Sequence, residues 1–362
     1  MAIRRGACGI VVSVVSSSSP GAGGAAPLIA PNTTVGITFA DPALEQAVRA
    51  TLERVEVRLY EAVASADPLL NEAARHLVDA GGKRFRPLLV ALAAQFGDPE
   101  APEVVAAAVV VELTHLATLY HDDVMDEAHV RRGADSANAR WGNSIAILTG
   151  DFLFSRAADL AAQLGPEAVL IQARTFSRLV HGQIAETVGP RDADPVAHHL
   201  EVITAKTGSL IGTSAEFGAM FSGASPAAAE ALARYGDTIG VAFQLSDDLL
   251  DIASESVESG KTPGTDLREG VPTLPVLLAL ADESPDPAAV RLRKLLGRGP
   301  LTEPDAVSEA LDLLRDSTAL KRARETVRAY ADRARGQLAV LPDRPARRAL
   351  ESLADFIADR TA

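Results

Sequence analysis

Apolar residues recur at three- and four-residue spacings through nearly the whole chain after residue 40, beginning with Leu44, Val48 and Leu52. This is the period of an α-helix, and the Ala, Leu, Glu and Arg residues that dominate these segments favour helices. Proline and glycine interrupt the pattern so as to leave about a dozen segments of helix length. Alternating strand patterns are scarce, and no glycine-rich phosphate loop follows a strand. We therefore predict an all-α fold with one domain over residues 41–362.

Charge and cysteine content narrow the class of protein. The formal net charge is −13, because 48 acidic residues outnumber 35 basic ones, so we expect no nucleic-acid partner bound through a broad basic surface. Cys8 is the only cysteine, which excludes an intrachain disulfide and a zinc cluster. A reducing compartment follows, and we expect the protein to be cytoplasmic.

Residues 1–40 differ in composition from the rest. Ser16–Ser19 precede a run of Pro, Gly and Ala, which is typical of a low-complexity segment. The apolar run Ile10–Val15 is short and β-branched and lacks a convincing cleavage site, so we prefer a flexible N-terminal extension to a signal peptide. Elsewhere no stretch of about 18 uninterrupted apolar residues predicts a membrane-spanning helix.

Two acidic clusters end apolar helical segments, in LYHDDVMD and in SDDLLD. Their carboxylates are Asp122, Asp123, Asp126, Asp247, Asp248 and Asp251. The outer two carboxylates of each cluster are four residues apart and share a helix face. Carboxylates in an apolar setting need partners, and an all-oxygen ligand set suits hard divalent cations. Two clusters that face each other would make a Mg²⁺ site shared with substrate phosphate oxygens.

Basic residues alternate with these clusters along the chain. GGKRFRP, at residues 81–87, stands at a predicted helix start, where backbone N–H groups also favour anions. The basic side chains are Lys83, Arg84, Arg86, Arg131, Arg132, Lys206 and Lys261. Guanidinium groups bind phosphate through two N–H groups, and lysine acts as a point charge. The alternation predicts a site where metal and cations share a polyphosphate.

The motifs follow the order GGKRFRP, HLATLYHDDVMD, RRG, GQ, KTGSL, FQLSDDLLD and GKTPGTDLREG, over about residues 68–280. In content and order the chain resembles the all-trans polyprenyl diphosphate synthases of the isoprenyl diphosphate synthase family. The resemblance implies the isoprenoid synthase fold, a single large helical bundle around a central cavity. It also implies a homodimer and a Mg²⁺-dependent prenyltransferase whose substrates are isopentenyl diphosphate and an allylic diphosphate primer.

The resemblance assigns roles residue by residue. It implies Mg²⁺ binding by both aspartate motifs, with Asp122, Asp126, Asp247 and Lys206 as the catalytic set. It implies binding of the allylic diphosphate by Arg131, Lys206, Thr207, Gln244 and Lys261. It implies binding of isopentenyl diphosphate by Lys83, Arg86, His115 and Arg132. His115 stands seven residues before Asp122, which is about two helical turns, so both share nearly the same face.

Two small residues bear on product length. Ala117 and Thr118 stand where short-chain members of the family carry aromatic residues, one turn before Asp122. One helical turn rises about 5.4 Å, close to one isoprene unit, so small residues there predict a product of about six or more units. Such a product would partition toward membranes, so we expect transient membrane association without an anchor. The alternative is that these small residues only permit close helix packing.

Other functions stay open. A short-chain, geranylgeranyl-type synthase and a non-catalytic subunit of a heteromeric synthase share the fold. Terpene cyclases and head-to-head condensing enzymes share the fold and Mg²⁺, but they do not account for GGKRFRP. His121 beside Asp122 also raises an HD-type phosphohydrolase, which needs further spaced histidines. One departure from the family is Val271, which follows Gly270 where the family often has lysine.

Overall fold

The computed structural model describes residues 39–253 and 263–360. All but the last two residues of the predicted N-terminal extension, and also Lys261, lie outside the described residues. The all-α prediction is confirmed, since the described residues form sixteen α-helices and one pair of two-residue strands. The chain divides into two compact units, and the prediction of a single domain stays a prediction.

The first unit comprises residues 39–177, 210–236 and 340–350. Its helices are α1 (Pro42–Ala62), α2 (Pro68–Asp79), α3 (Phe85–Ala94), α4 (Pro102–Met125), α5 (Ala137–Trp141), α6 (Asn143–Leu164), the first part of α7 (Pro166–Val188), most of α9 (Ser209–Phe221) and the first parts of α10 (Pro226–Ala253) and α16 (Pro345–Asp359). Its strands are β1 (Val130–Arg131) and β2 (Ala134–Asp135), which pair antiparallel.

The second unit comprises residues 178–209, 237–339 and those from 351 onward. It contains the remainders of α7, α10 and α16. Its other helices are α8 (Pro195–Ile203), α11 (Thr265–Glu269), α12 (Leu274–Leu280), α13 (Pro287–Leu296), α14 (Pro304–Arg315) and α15 (Thr318–Gln337). A π-helical turn, Thr204–Gly208, follows α8, and a 3-10 turn, Leu338–Val340, follows α15. Helix α12 packs against α8, α13 and α15.

Aspartate–proline pairs begin four of the helices. The side chains of Asp41, Asp67, Asp194 and Asp286 each accept a hydrogen bond from the backbone N–H group three residues later. The proline that follows each aspartate has no N–H group to satisfy and holds φ near its helical value. The prolines that interrupt the apolar pattern thus mark where helices begin.

Helix α4 lies in the core of the first unit and packs against α1, α3 and α6. Its length and mean hydropathy would allow it to cross a membrane, yet 67% of its most apolar 18-residue window is buried inside the protein. A mostly buried apolar helix is what the core of a soluble protein requires. Helix α4 positions the first carboxylates, because Asp122 and Asp123 occupy its last turn and Asp126 is its C-cap residue.

Candidate active site

Two consecutive glycines join α2 to α3 at the start of GGKRFRP. Gly81 and Gly82 have φ angles of 81° and 149°, which favour glycine. A Cβ atom on Gly82 would lie 2.8 Å from Cζ of Arg132, so the missing side chain admits that guanidinium. Nη1 of Arg132 donates to the carbonyl of Leu77 at 2.8 Å and to the carbonyl of Gly81. The glycine pair therefore leaves room for the guanidinium group of Arg132, which the nearby carbonyls bind.

Arg86, His115 and Arg132 form a group of basic side chains in the first unit that affect one another's pKa, and this group is referred to here as the arginine pocket. Burial, followed by the neighbouring Arg86 and Arg132, holds the pKa of His115 well below its usual value, so this imidazole is neutral. Burial also lowers the pKa of Arg86 to about 10, and Arg132 adds to the effect, while Glu112 opposes it. Nε of Arg86 is buried without a hydrogen-bond partner. The arrangement can accept an anion that bears several oxygen atoms.

The hairpin β1–β2 carries two consecutive arginines whose side chains contact different groups. Arg132 and Gly133 form its two-residue turn, and their φ angles are 55° and 79°. Positive φ at both central residues is typical of a type I′ hairpin turn. Arg131 instead donates from Nε to Oδ1 of Asp123 at 2.6 Å. One turn thus supplies a cation to the first carboxylate cluster and another to the arginine pocket.

The first carboxylate cluster consists of Asp122, Asp123 and Asp126. Asp123 is fully buried, and its Oδ2 has no hydrogen-bond partner. Burial raises the pKa of Asp123, although the charge and the hydrogen bond of Arg131 oppose the effect. Asp122 is half-buried and Asp126 is exposed. The two outer carboxylates are therefore the more accessible ones, and Asp123 faces Arg131. Metal binding by all three stays a prediction.

His121, which raised the phosphohydrolase alternative, packs between α4 and α6. Its Nε2 lies 3.1 Å from the carbonyl oxygen of Ile147 and 3.4 Å from a carboxylate oxygen of Asp151. A Cβ atom on Gly150 would lie 2.4 Å from this Nε2, so the glycine makes room for the imidazole. Among the described residues, no group of three or more His, Cys, Asp or Glu side chains lies close enough together to hold a metal ion in this conformation. His121 thus has a packing role.

The second carboxylate cluster consists of Asp247, Asp248 and Asp251 at the end of α10. Asp247 accepts from Nη2 of Arg360 at 2.8 Å. Asp248 is buried and accepts from Nε2 of Gln244 at 3.0 Å. Burial raises the pKa of Asp248 to about 7, and the neighbouring carboxylates add to the effect, while the Gln244 hydrogen bond opposes it. Burial of Asp248 is therefore the main feature that works against a negative charge in this cluster.

Asp251 holds the segment that leads into α11. Its Oδ1 accepts from the backbone N–H of Thr265 at 3.1 Å, and its Oδ2 accepts from the backbone N–H of Asp266 at 3.0 Å. Its carbonyl accepts from the N–H of Gly264 at 2.9 Å. This role in the loop was not predicted from the sequence, and metal binding by Asp251 stays a prediction.

The KTGSL motif overlaps the last three residues of the π-helical turn, a feature frequent at functional sites. Lys206 forms an ion pair with Glu186, and Thr207 donates to Gln244 at 3.3 Å. Because Gln244 also donates to Asp248, a hydrogen-bond chain joins this turn to the second carboxylate cluster. A Cβ atom on Gly182 would lie 2.9 Å from Cγ of Lys206, so the glycine of the GQ motif admits the lysine stem.

Three functional neighbours escaped sequence reasoning. Arg360 stands 113 residues after Asp247, and Glu186 stands 20 residues before Lys206, so no local spacing joined them. His199, whose buried Nε2 is 3.8 Å from Oδ2 of Asp248, has a pKa lowered to about 4, mainly by burial. These contacts arise only when the helices pack.

Both carboxylate clusters fit a hard divalent cation by their donor chemistry. Their potential ligands are carboxylate oxygens, and the pKa of Asp248 is raised mainly by burial and further by the negative charges of Asp266, Asp247 and Asp251. A cation would offset those charges. The buried Oδ2 of Asp123 is a further oxygen without a partner.

Comparison with known proteins shows wide similarity. The polyprenyl synthetase family model matches residues 67–314. Nonaprenyl diphosphate synthase of Mycobacterium tuberculosis is 52% identical over 333 residues, which are 91% of this chain and 98% of that protein. A crystal structure of geranylgeranyl pyrophosphate synthase from Corynebacterium glutamicum, complexed with calcium and isoprenyl diphosphate, is 47% identical with a TM-score of 0.81, covering 90% of this chain and 99% of that one.

A crystal structure of a decaprenyl diphosphate synthase from Rhodobacter capsulatus is 35% identical with a TM-score of 0.79, and it covers 89% of this chain and 99% of that one. The likeness in structure to these synthases confirms the expected isoprenoid synthase fold.

Proposed function

This chain belongs to the polyprenyl synthetase family and is a trans-prenyltransferase, and we propose that it makes a long-chain all-trans polyprenyl diphosphate. It would do so by Mg²⁺-dependent condensation of an allylic diphosphate with successive isopentenyl diphosphate units. The similarity to a nonaprenyl diphosphate synthase over 98% of that protein supports a long product.

The arginine pocket carries the proposal for isopentenyl diphosphate. Two guanidinium groups and a neutral imidazole are gathered in a chain whose net charge is −13. The mutual repulsion of these groups would be relieved by a diphosphate, whose oxygens could also accept from the unpartnered Nε of Arg86. Lys83, which is exposed, would add a fourth basic group.

We assign the allylic diphosphate to Arg131, Lys206, Thr207, Gln244 and Lys261. Lys206 and Arg131 are each paired with a carboxylate. The ion pair of Lys206 with Glu186 is partly exposed, so a diphosphate could compete for the ammonium group. Lys261 is assigned by resemblance to the family alone.

Mg²⁺ would be held by Asp122 and Asp126 and by Asp247 and Asp251, with Asp123 and Asp248 beside them. When bound, it would neutralise the leaving diphosphate and so favour ionisation of the allylic C–O bond. The cationic side chains contribute to the same charge stabilisation. Oxygen ligands suit hard divalent cations, and Mg²⁺ is the one typically shared between a few carboxylates and substrate phosphates.

The remaining chemistry needs no protein nucleophile. The π electrons of isopentenyl diphosphate attack the allylic carbocation, a C–C bond forms, and a proton leaves the adjacent carbon for the departing diphosphate. The neutral His115 holds its substrate without adding a positive charge near the cation. Apolar residues of α4 before the first carboxylate cluster would keep water from the carbocation.

The length of the product depends on the residues one turn before Asp122. Ala117 is fully buried, and Thr118 is partly buried with its hydroxyl donating to the carbonyl of His115 at 2.7 Å. We expect Ala117→Phe to shorten the product to about three or four units, since an added ring blocks about one helical turn of the tunnel. Thr118→Phe is the companion variant, because a bulky residue strains a packed site such as that of Ala117.

A geranylgeranyl-type product is the second candidate, because the similar Corynebacterium structure is a geranylgeranyl pyrophosphate synthase. Incubation with farnesyl diphosphate, labelled isopentenyl diphosphate and Mg²⁺, followed by chromatography of the products, separates the candidates. Products of six or more units support the proposal, and products that stop at four units contradict it. No turnover by the purified chain alone would favour the non-catalytic subunit.

We propose that the protein is a homodimer. Exposed apolar residues recur along α7 at spacings of seven, four, four and four residues, at Val169, Phe176, Val180, Ile184 and Val188. Such a stripe on one helix is typical of an interface. Light scattering after size-exclusion chromatography should give twice the chain mass, and Ile184→Asp should reduce it to that of a monomer.

We further propose a cytoplasmic location with transient membrane contact through the product. A product of six or more isoprene units is strongly apolar and would favour a bilayer. Cell fractionation should find the protein mostly in the soluble fraction. Vesicles should bind the enzyme more strongly after product has formed than before.

A further inference from the structure

Arg84 stands between two proposed diphosphate ligands, Lys83 and Arg86, but its side chain lies inside the protein. Only 2% of that side chain is exposed. Its Nε and Nη2 donate to the two carboxylate oxygens of Glu56 at 2.5 and 3.2 Å. Its Nη1 donates to Glu112 at 3.2 Å. Both glutamates are themselves buried. All its N–H-bearing nitrogens thus bind protein acceptors.

The backbone of Arg84 is in the left-handed region, with φ 47° and ψ 35°, directly before α3 begins. This conformation is unfavourable for a residue with a Cβ atom and persists only where surrounding contacts impose it. The fork of hydrogen bonds to Glu56 is such a contact, and Nη1 also donates to the carbonyl of Gly81 at 3.3 Å. The ion pairs and the bend of the chain therefore occur at the same residue.

We propose that Arg84 and Glu56 are positioning residues for isopentenyl diphosphate. Because Arg84 is fixed to α1 through Glu56, the chain on either side of it is fixed as well, and Lys83 and Arg86 are held for the substrate. The inference rests on the proposed assignment of the arginine pocket to isopentenyl diphosphate. Neither positioning residue need touch the substrate.

The hydrogen bonds between Arg84 and Glu56 also affect the charges in the arginine pocket, through Glu112. Its charge also interacts with Arg86 and Arg132, so it is a counter-ion shared by the buried Arg84 and the arginine pocket. Glu56 takes two of the donor nitrogens of Arg84 and leaves one for Glu112. If the contact with Glu56 were weaker, Arg84 would turn further toward Glu112. Glu112 would then offset less of the positive charge of Arg86.

The test uses variants that keep each charge, because removing one partner of a buried ion pair can unfold a protein. Arg84→Lys keeps the cation but lacks the planar fork, and Glu56→Asp keeps the carboxylate but is one methylene shorter. The control is Glu61→Gln, also on α1, which removes an exposed pair with Arg58. Arg86→Ala serves as the reference for the arginine pocket itself.

We expect Arg84→Lys and Glu56→Asp each to raise the KM for isopentenyl diphosphate about tenfold, as displacement of a positioned ligand group does. kcat and the KM for the allylic substrate should stay within about twofold of wild type. Calorimetric titration with isopentenyl diphosphate alone should show the same loss of affinity. The double variant should be no worse than the poorer single one, since both act through one contact. The control should match wild type.

Three outcomes separate this inference from the proposed function. An unchanged KM for isopentenyl diphosphate in both folded variants, with a raised KM in Arg86→Ala, would overturn the positioning role alone. Loss of folding in both variants, measured by thermal melting, would also overturn it and leave Arg84 a purely structural role. An unchanged KM in Arg86→Ala would overturn the assignment of the arginine pocket.

Discussion

The arginine pocket of the first unit and the second carboxylate cluster of the second unit are opposite in charge but similar in construction. Burial lowers the pKa of Arg86 to about 10 in one and raises the pKa of Asp248 to about 7 in the other. In both, burial works against the ionised form, and groups of like charge add to that effect. Each region is therefore suited to a ligand of the opposite charge, a diphosphate in one and a divalent cation in the other.

Loss of a carboxylate should have the largest effect. We expect Asp247→Ala or Asp122→Ala to lower kcat by about two orders of magnitude or more, as removal of one preorganised electrostatic contact does. Chelation of Mg²⁺ should abolish turnover of the wild type. Steady-state rates at saturating Mg²⁺ provide the measurement.

The control for this prediction is Asp312→Ala, which removes an exposed carboxylate paired with Arg315 in the second unit. It should leave the rate unchanged. Near-normal turnover of Asp247→Ala and Asp122→Ala would contradict the proposal that the two carboxylate clusters bind Mg²⁺.

The arginine pocket and Lys206, whose turn is joined to the second carboxylate cluster through Thr207 and Gln244, should also differ in which substrate they serve. Arg86→Ala should mainly raise the KM for isopentenyl diphosphate, by about tenfold or more, since a charged hydrogen bond is lost. Lys206→Ala should act on the KM for the allylic substrate or on kcat. Initial rates with each substrate varied in turn would show this. The same response to both substrates in the two variants would refute the division.

Titration of His115 should appear in the stability of the protein. The folded pKa of His115 lies well below 6.5, the unfolded value, so between these two pKa values the unfolded chain binds this proton and the folded chain does not. As the pH falls through that window, the free energy of unfolding should fall with a limiting slope of about 1.4 kcal/mol per pH unit, in addition to the effects of other groups. This contribution is absent in His115→Gln.

Urea unfolding of wild type and His115→Gln from pH 7.5 to 5, without Mg²⁺, isolates that contribution, because the other titrations cancel in the difference. Inorganic pyrophosphate should reduce the slope by offsetting the charges of Arg86 and Arg132. A difference that does not depend on pH would mean that His115 has the same pKa in the folded and the unfolded chain.

The smallest effect should come from Glu186, which pairs with Lys206. Glu186→Gln removes a competitor for the ammonium group, so the KM for the allylic substrate should fall by up to about fivefold, the worth of a partly exposed ion pair. Glu230→Gln, which breaks an exposed pair with Arg234, is the matched control. A rise in this KM would show that Glu186 orients Lys206.

The helical fold could be predicted from periodicity, and both carboxylate clusters could be located from spacing, because each lies within one helix. Arg84 could not be distinguished from Arg86, since its left-handed backbone and its buried partners depend on the packing of α1 and α4. Arg360 on Asp247 likewise joins residues far apart in the chain. Local patterns reveal which residues share a helix face, whereas counter-ions come from tertiary contacts.

The tight turn of β1–β2 has a consequence for the affinities of the two substrates. Arg131 and Arg132 are separated by one planar peptide bond, so a ligand that draws one guanidinium from its present contact also strains the other. We expect the proposed ligands to alter each other's affinity through this hairpin, and thermodynamic linkage requires the factor to be mutual. A non-ionising allylic analogue should change the Kd for isopentenyl diphosphate by the same ratio as isopentenyl diphosphate changes the Kd for the analogue.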